Sequence, residues 1–356
     1  MKTKLIPIIT LILILFLSAC KKDKVIIEET GGIYSNGAFI SNEGTFGLGN
    51  SSISFLDFNT DIVTNDIFNS KNDRPLGDVL QSIKIMAGNL YCVVNASNKI
   101  EIVKADDFTE TGVIEGLDNP RYIAAENNKL YVSQWGNGGQ IKVFDPFTNI
   151  LKKTIDVGTG PEGILAYNYL IWVANGGGFL VDSTISLIDP WSDELIANIK
   201  VGHNPKEMVV DADGNVWVIC SGYVQYDENW NIVSESPSKL VKISGFNFEI
   251  LSEIEISKTS HPQHIDISKN RETIYYGGGY GFAGIHAVYY SNSEKIQSIG
   301  GDKYFYGFNI NPDNDDIYGL EAPSFSDNGI LYRYDKLGTF VKQYEVGIGP
   351  NSAVFW

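Results

Sequence analysis

The chain has little cysteine, histidine or methionine: three, four and three residues in 356. So few thiols exclude a disulfide framework and any cysteine-rich metal motif. Four histidines leave little material for a histidine metal cage. Basic residues are also short, with 27 Lys and Arg against 43 Asp and Glu and a net charge of −16. That balance argues against nucleic acid or anionic headgroups as a main partner, because both would be repelled. Beyond residue 17 no apolar run is long enough to cross a bilayer as a helix. No Gly-x-Ser-x-Gly elbow occurs, and no Ser/His/Asp set can be assigned.

What is present is a repeat. Residues 158–202 hold four short apolar runs, each ended by Gly, Asn, Asp or Pro, the pattern of consecutive antiparallel strands. A leading proline recurs at Pro120, Pro161, Pro205, Pro262 and Pro350. Its spacings are 41, 44, 57 and 88 residues, the last being two units of 44. A period of about 40–45 residues with four strands per period is the signature of propeller blades. Seven units fit between residue 33 and the C-terminus. The first supplies only three strand-like runs, Gly37–Asn42, Ser52–Asp57 and Asp61–Phe68, and a solitary strand motif, 348–356, closes the chain. The expected fold is therefore an all-β, seven-bladed β-propeller in which the C-terminal strand pairs with the N-terminal blade. Such closure removes the open edges of the array.

The N-terminus reads differently. Lys2 and Lys4 precede an apolar run from Leu5 to Leu17, and Leu17-Ser18-Ala19-Cys20 follows. The run is short for a membrane span and fits an export signal. Its end resembles the lipobox of bacterial lipoproteins, in which the cysteine becomes the acylated first residue. The division expected is a lipoprotein signal peptide over 1–19, a lipidated tether over 20–32 and the propeller over 33–356. Cleavage removes two lysines and takes the net charge from −16 to −18. The resemblance implies outer-membrane anchoring through Cys20. Lys21-Lys22-Asp23-Lys24 carries one acid only, so cell-surface and periplasmic placement both stay open.

The Val-Gly-x-x-Pro motif at Val157–Pro161, Val201–Pro205 and Val346–Pro350 is similar to that of the YncE-like propellers. So are the strands ending in Asp57, Asp145, Asp189 and Asp335. Together with the lipobox, the chain resembles outer-membrane propeller lipoproteins, some of which capture vitamin B12 for a TonB-dependent transporter. That likeness implies a cobalamin-type ligand and such a transporter as partner; no residue motif here is diagnostic of corrinoid binding.

Candidate chemistry is mostly turn chemistry. Gly279-x-Gly281-x-x-Gly284 matches a dinucleotide fingerprint, but strand-like residues follow where a helix is needed. Asp211–Asn215 and Asn311–Asp316 lack the glycine and glutamate positions of a calcium loop and read as hairpin turns. The pairs Asp106-Asp107 and Asp315-Asp316 read as solvated. His261 and His264 flank a proline at the start of a strand, where two ligands would not converge. Cys92 and Cys220 lie in apolar runs and are expected to be buried thiols.

A positional pattern says more. The residue opening each inner strand is Gln81, Arg121, Glu162, Lys206, Gln263, Tyr306 or Asn351, and the residues two further on are Ile83, Ile123, Ile164, Met208, Ile265, Phe308 and Ala353. A polar ring above an apolar layer is expected at one mouth of the channel, either for binding or merely as solvated strand ends. Loops on that rim carry Phe46, Trp135, Phe179, Tyr226, Trp230, Tyr280, Phe282 and Phe325. They either present flat contact area to a ligand or pack together to seal the rim. The reading favoured is binding without chemistry and without a cofactor or metal. A corrinoid, siderophore, glycan or peptide would meet aromatic faces and polar edges there. The alternatives are a propeller enzyme of lyase or lactonase type, using Glu162, Glu207 and His264, and a protein-interaction scaffold of an outer-membrane complex.

Overall fold

A computed structural model describes residues 32–279 and 281–356. The signal peptide, Cys20, the tether through residue 31 and Tyr280 lie outside the described residues.

Seven four-stranded antiparallel sheets form the blades, and each runs from an inner to an outer strand in sequence order except the first. There the C-terminal strand Pro350–Phe355 is innermost, followed outward by Gly37–Asn42, Ser52–Asp57 and Ile62–Thr64. Its register pairs Ala38 with Phe355, Phe39 with Val354 and Ile40 with Ala353. Reciprocal backbone bonds of 2.8 and 2.9 Å between Gly37 and Trp356 finish the ladder. The seven-bladed propeller closed by its own C-terminus is thus the observed fold. No edge is left at the seam.

The inner strands are Leu80–Met86, Pro120–Glu126, Pro161–Tyr167, Pro205–Val210, His264–Ile267, Gly307–Ile310 and Pro350–Phe355. A proline serves at a strand's first residue because no ladder hydrogen bond is needed from its nitrogen. The 57-residue period is explained by an extra hairpin, Tyr223–Tyr226 paired with Ile232–Ser236, that stands apart from the fifth blade's own sheet. Apolar clusters fill the spaces between neighbouring blades, and Trp172 and Trp217 are wholly buried in them. Cys92 and Cys220 are buried free thiols, and burial pushes both thiol pKa values up, that of Cys220 to about 12.

Two expectations need correction. The run Asp61–Phe68 is a strand only over Ile62–Thr64; a short helix, Ile67–Asn72, follows, because Ile67 and Phe68 turn inward onto Phe39, Phe55 and Phe108. Asp316 is not solvated: it is buried against the Arg333 guanidinium at 2.6 Å. Phe308 belongs to the expected apolar layer and packs between blades with Phe305 and Ile310.

Candidate functional site

Each inner strand starts at one face of the wheel, so the side chains around its start lie at the channel mouth. All seven positions of the polar ring, Gln81, Arg121, Glu162, Lys206, Gln263, Tyr306 and Asn351, line one cavity of about 590 Å³ there. Below it the channel narrows to about 250 Å³, lined by Ile83, Ile123, Ile164, Met208, Ile265 and Ala353 together with Asp266. Tyr122 and Glu207 belong to both chambers.

Ion pairs and hydrogen bonds knit the ring into a network. Glu162 accepts from Arg121 Nε at 2.8 Å and from Lys206 Nζ at 3.0 Å, while Arg121 also reaches the Gln81 side-chain oxygen. Burial alone would raise the Glu162 pKa, yet the two cations hold it below the usual value. Burial likewise opposes the Arg121 charge, and Glu162 outweighs it, leaving the guanidinium pKa raised. Beside this cluster, Glu207 accepts from the Tyr122 hydroxyl at 3.0 Å and lies 3.0 Å from His264 Nδ1. Burial works against a charged His264, but the Glu207 carboxylate prevails and raises its pKa.

Asn351 plays a part that the polar ring did not suggest. Its Nδ2 donates to Glu43 Oε1 at 3.0 Å and to the carbonyls of Leu80 and Gln81 at 2.9 and 3.1 Å, and its oxygen accepts from Ser41. Only 5% exposed, this amide is spent on clasping the seam. Gly307 makes that clasp sterically possible, since a Cβ there would lie 1.8 Å from the Asn351 carbonyl oxygen.

Glu43, missed in the sequence, is the third carboxylate of the mouth. It accepts from the Tyr306 hydroxyl at 3.1 Å, and its backbone N–H is tied to the Gly349 carbonyl at 2.9 Å. Burial raises its pKa, an effect that the Asn351 and Tyr306 bonds only partly offset. Its one sequence signal is that it is the single acid in the loop 42–50.

The rim aromatics divide. Phe46 and Phe325 line the mouth, and Phe325 meets the Tyr306 ring edge-on at 5.3 Å. Trp135 lies under the Arg121 guanidinium, 4.2 Å from ring centroid to charge, and Phe179 abuts it edge-on at 5.2 Å. Phe179 itself projects into solvent beside a groove of about 540 Å³, whose wall includes Tyr223, Val224 and His261 and which meets the mouth at Lys206 and Gln263. Tyr226 and Trp230 pack on each other at 6.0 Å at the tip of the extra hairpin, away from the mouth. Phe282 is buried against Tyr276 and His286, so at that position sealing, not presentation, is observed.

His261 turns to the Ser221 carbonyl and Glu235, away from His264, so the histidine pair diverges. Among the described residues, no three His, Cys, Asp or Glu side chains stand close enough to hold a metal ion. The mouth therefore combines three carboxylates, two fixed cations, one histidine, two tyrosines and several amides. Its cations are already neutralised, which suits a ligand rich in hydrogen-bonding groups better than a phosphate or another strong anion.

Residues 36–355 match the family described as "Domain of unknown function (DUF5074)". No curated protein matches the chain. Among solved structures, a quinoprotein alcohol dehydrogenase-like protein from Bacteroides thetaiotaomicron is 15% identical with a TM-score of 0.69, covering 90% of this chain and 78% of its own. A candidate 6-phosphogluconolactonase from Bacteroides fragilis is 13% identical with a TM-score of 0.66, covering 90% and 98%. A protein of unknown function from Desulfotomaculum acetoxidans is 13% identical with a TM-score of 0.65, covering 89% and 98%. At such identities the likeness is one of fold.

Proposed function

We propose that this chain, which belongs to the DUF5074 family, is a lipid-anchored binding protein that captures a hydrogen-bond-rich small molecule over the mouth of its propeller without transforming it. One observation carries the reading: side chains from the heads of all seven inner strands, far apart along the chain, converge on a single cavity with aromatic loops on its rim. A rigid wheel with adaptable loops is a scaffold for binding. The ligand class is a corrinoid such as cobalamin, or a siderophore or glycan of similar edge chemistry, lying across the rim with polar groups directed at Gln81, Lys206 and Gln263. The anchor is Cys20, the location the outer membrane, and the natural partner a TonB-dependent transporter that receives the cargo.

Calorimetry of the chain against cyanocobalamin, ferric siderophores and oligosaccharides tests the reading. Saturable heat that Glu162→Gln and Gln263→Ala diminish is expected; no heat at micromolar concentrations from any of the three classes refutes it.

The Tyr122–Glu207–His264 chain of hydrogen bonds favours a second reading, an enzyme of the lactonase type that the Bacteroides neighbour's description suggests. Here His264 and Glu207 would pass a proton to and from a bound ester. Hydrolysis of sugar lactones that His264→Gln abolishes would decide for this reading.

A further inference from the structure

The face opposite the mouth carries a feature the ligand site does not use. In each blade the third strand turns into the fourth on that face, and in five blades the turn is built alike. A side-chain oxygen accepts the backbone N–H two residues on: Asp57 from Asn59 at 2.7 Å, Asp145 from Phe147 at 3.0 Å, Asp189 from Trp191 at 2.8 Å, Ser244 from Phe246 at 3.3 Å and Asp335 from Leu337 at 2.9 Å. In blade one the residue so held is polar, but in blades three, four, five and seven it is apolar and stands out into water, Phe147 being 80% exposed and Trp191 73%. The same turn position in blades one, two and six is Asn59, Asp106 or Ser291.

Phe147, Trp191 and Phe246 thus occupy three consecutive blades, and neighbouring turns hold them in place. Asn127 donates to the Pro190 carbonyl at 2.9 Å, joining blades three and four. Asn168 donates to the Gly245 carbonyl at 3.0 Å, joining blades four and five at the turn that also carries the exposed Tyr169. The result is a fixed arc of four aromatic side chains on one side of the wheel. Of its acids, Asp145 caps its own turn and pairs with Lys152 at 2.7 Å and Asp193 pairs with Lys129 at 2.7 Å, while Glu194, Asp213 and Glu249 on the same turns are exposed.

The first of the described residues lie on this same face. The Tyr34 N–H donates to the Asp106 carbonyl in the outer turn of blade two, at 2.9 Å, next to the blade that bears Phe147. Ile33 is exposed there. From Cys20 to Gly31 is twelve residues, which extended span about 40 Å at most. An acyl chain on Cys20 would therefore keep this face within about 40 Å of a bilayer.

We infer that the arc of Phe147, Trp191, Tyr169 and Phe246 docks on the interface of a lipid bilayer, fixing the anchored propeller with its mouth outward. Aromatic rings favour the headgroup level, where an apolar body and a polar edge are both satisfied. The chain's net negative charge leaves apolar contact, not attraction to anionic lipid, as the source of the docking. The inference rests on the lipid anchor of the preceding reading.

The test uses the full lipidated chain in phosphatidylcholine vesicles containing lipid with brominated acyl chains. Wild type is expected to float with the vesicles and to lose more tryptophan fluorescence than Trp191→Phe does, equally at low and high salt. Phe147→Ser/Trp191→Ser/Phe246→Ser is expected to float too but to show no quenching above that of Trp191→Phe. Equal quenching of wild type and Trp191→Phe in floating samples overturns the docking while leaving the anchor intact. Failure of wild type to float, like Cys20→Ala, overturns the anchor and the docking with it. A lipid-free dimer that the triple variant abolishes would make the arc a contact between copies and likewise overturn the inference.

Discussion

Replacing Glu162 by Gln tests whether the polar ring is an electrostatic unit. The carboxylate holds Arg121 at 2.8 Å and Lys206 at 3.0 Å, and the three side chains are 4–18% exposed. Removing one partner from a buried ion pair costs about 3–5 kcal/mol, because the remaining charge is left uncompensated. Here the mouth admits water, and Arg121 keeps its contacts with Gln81 and the Trp135 ring, so about 2–3 kcal/mol is the reasoned loss. Unfolding entropy near 60 °C is roughly 2.1 cal/mol/K per residue, which for a propeller of this length predicts a fall in Tm of about 3–4 °C. Scanning calorimetry at pH 7 measures it. The sign with pH follows from the depressed Glu162 pKa: the stabilisation is complete above the unfolded value of about 4.3 and is lost as pH falls through the lower folded value. The gap between wild type and Glu162→Gln should therefore close in acid. A gap below about 1 °C at pH 7, or one that persists unchanged in acid, refutes the reasoning.

Asp266, in the lower chamber, has its pKa pushed up to about 6 by burial, against hydrogen bonds from Ile310, Ile267 and Asn309. Its protonated form is favoured by folding, so its contribution is complete below about pH 4 and lost as pH rises through about 6; a carboxyl carbon resonance titrating near 4 would contradict this. Asn351→Ala removes three donated bonds at the seam and should lower the urea midpoint by the equivalent of about 2–3 kcal/mol, whereas an unchanged midpoint would show that the ladder alone closes the wheel. Deleting 351–356 exposes the whole edge of Gly37–Asn42, and size-exclusion chromatography should find aggregates instead of a monomer. Trp230→Ala, at an exposed hairpin tip, should leave Tm within about 1 °C. Trp135→Ala, which loses the stacked Arg121 and the Phe179 edge, should lower Tm by about 2 °C and weaken any ligand held at the mouth.

The wheel was legible because its signals are local and repeated. A proline at the head of the inner strand and an Asp at the end of the third each do the same job in several blades, and the lone terminal strand had only one place to pair. The ring of seven positions was legible for the same reason, since periodicity alone selects Gln81, Arg121, Glu162, Lys206, Gln263, Tyr306 and Asn351. Whatever broke the period was not legible. Glu43 comes from a loop whose length and conformation are its own, fixed by backbone bonds to Ile348 and Gly349 across the whole chain. The helix at Ile67–Asn72 is shorter than its sequence could specify and exists because Ile67 and Phe68 have a cluster to enter. Asp211 shows the same limit from the other side. Its run reads as a turn and is one, with Oδ1 accepting from the backbone of Asp213 and Asn215, but the second oxygen takes the Trp217 indole N–H at 2.9 Å and Lys242 at 3.0 Å. Those two bonds depend on strands that the turn's own residues do not encode. A repeat thus announces which side chains share a level of the channel, whereas the partners each one takes are set between blades. That is why Asn351 occupies the expected level and yet serves the seam, while Glu43, at no repeated position, completes the mouth.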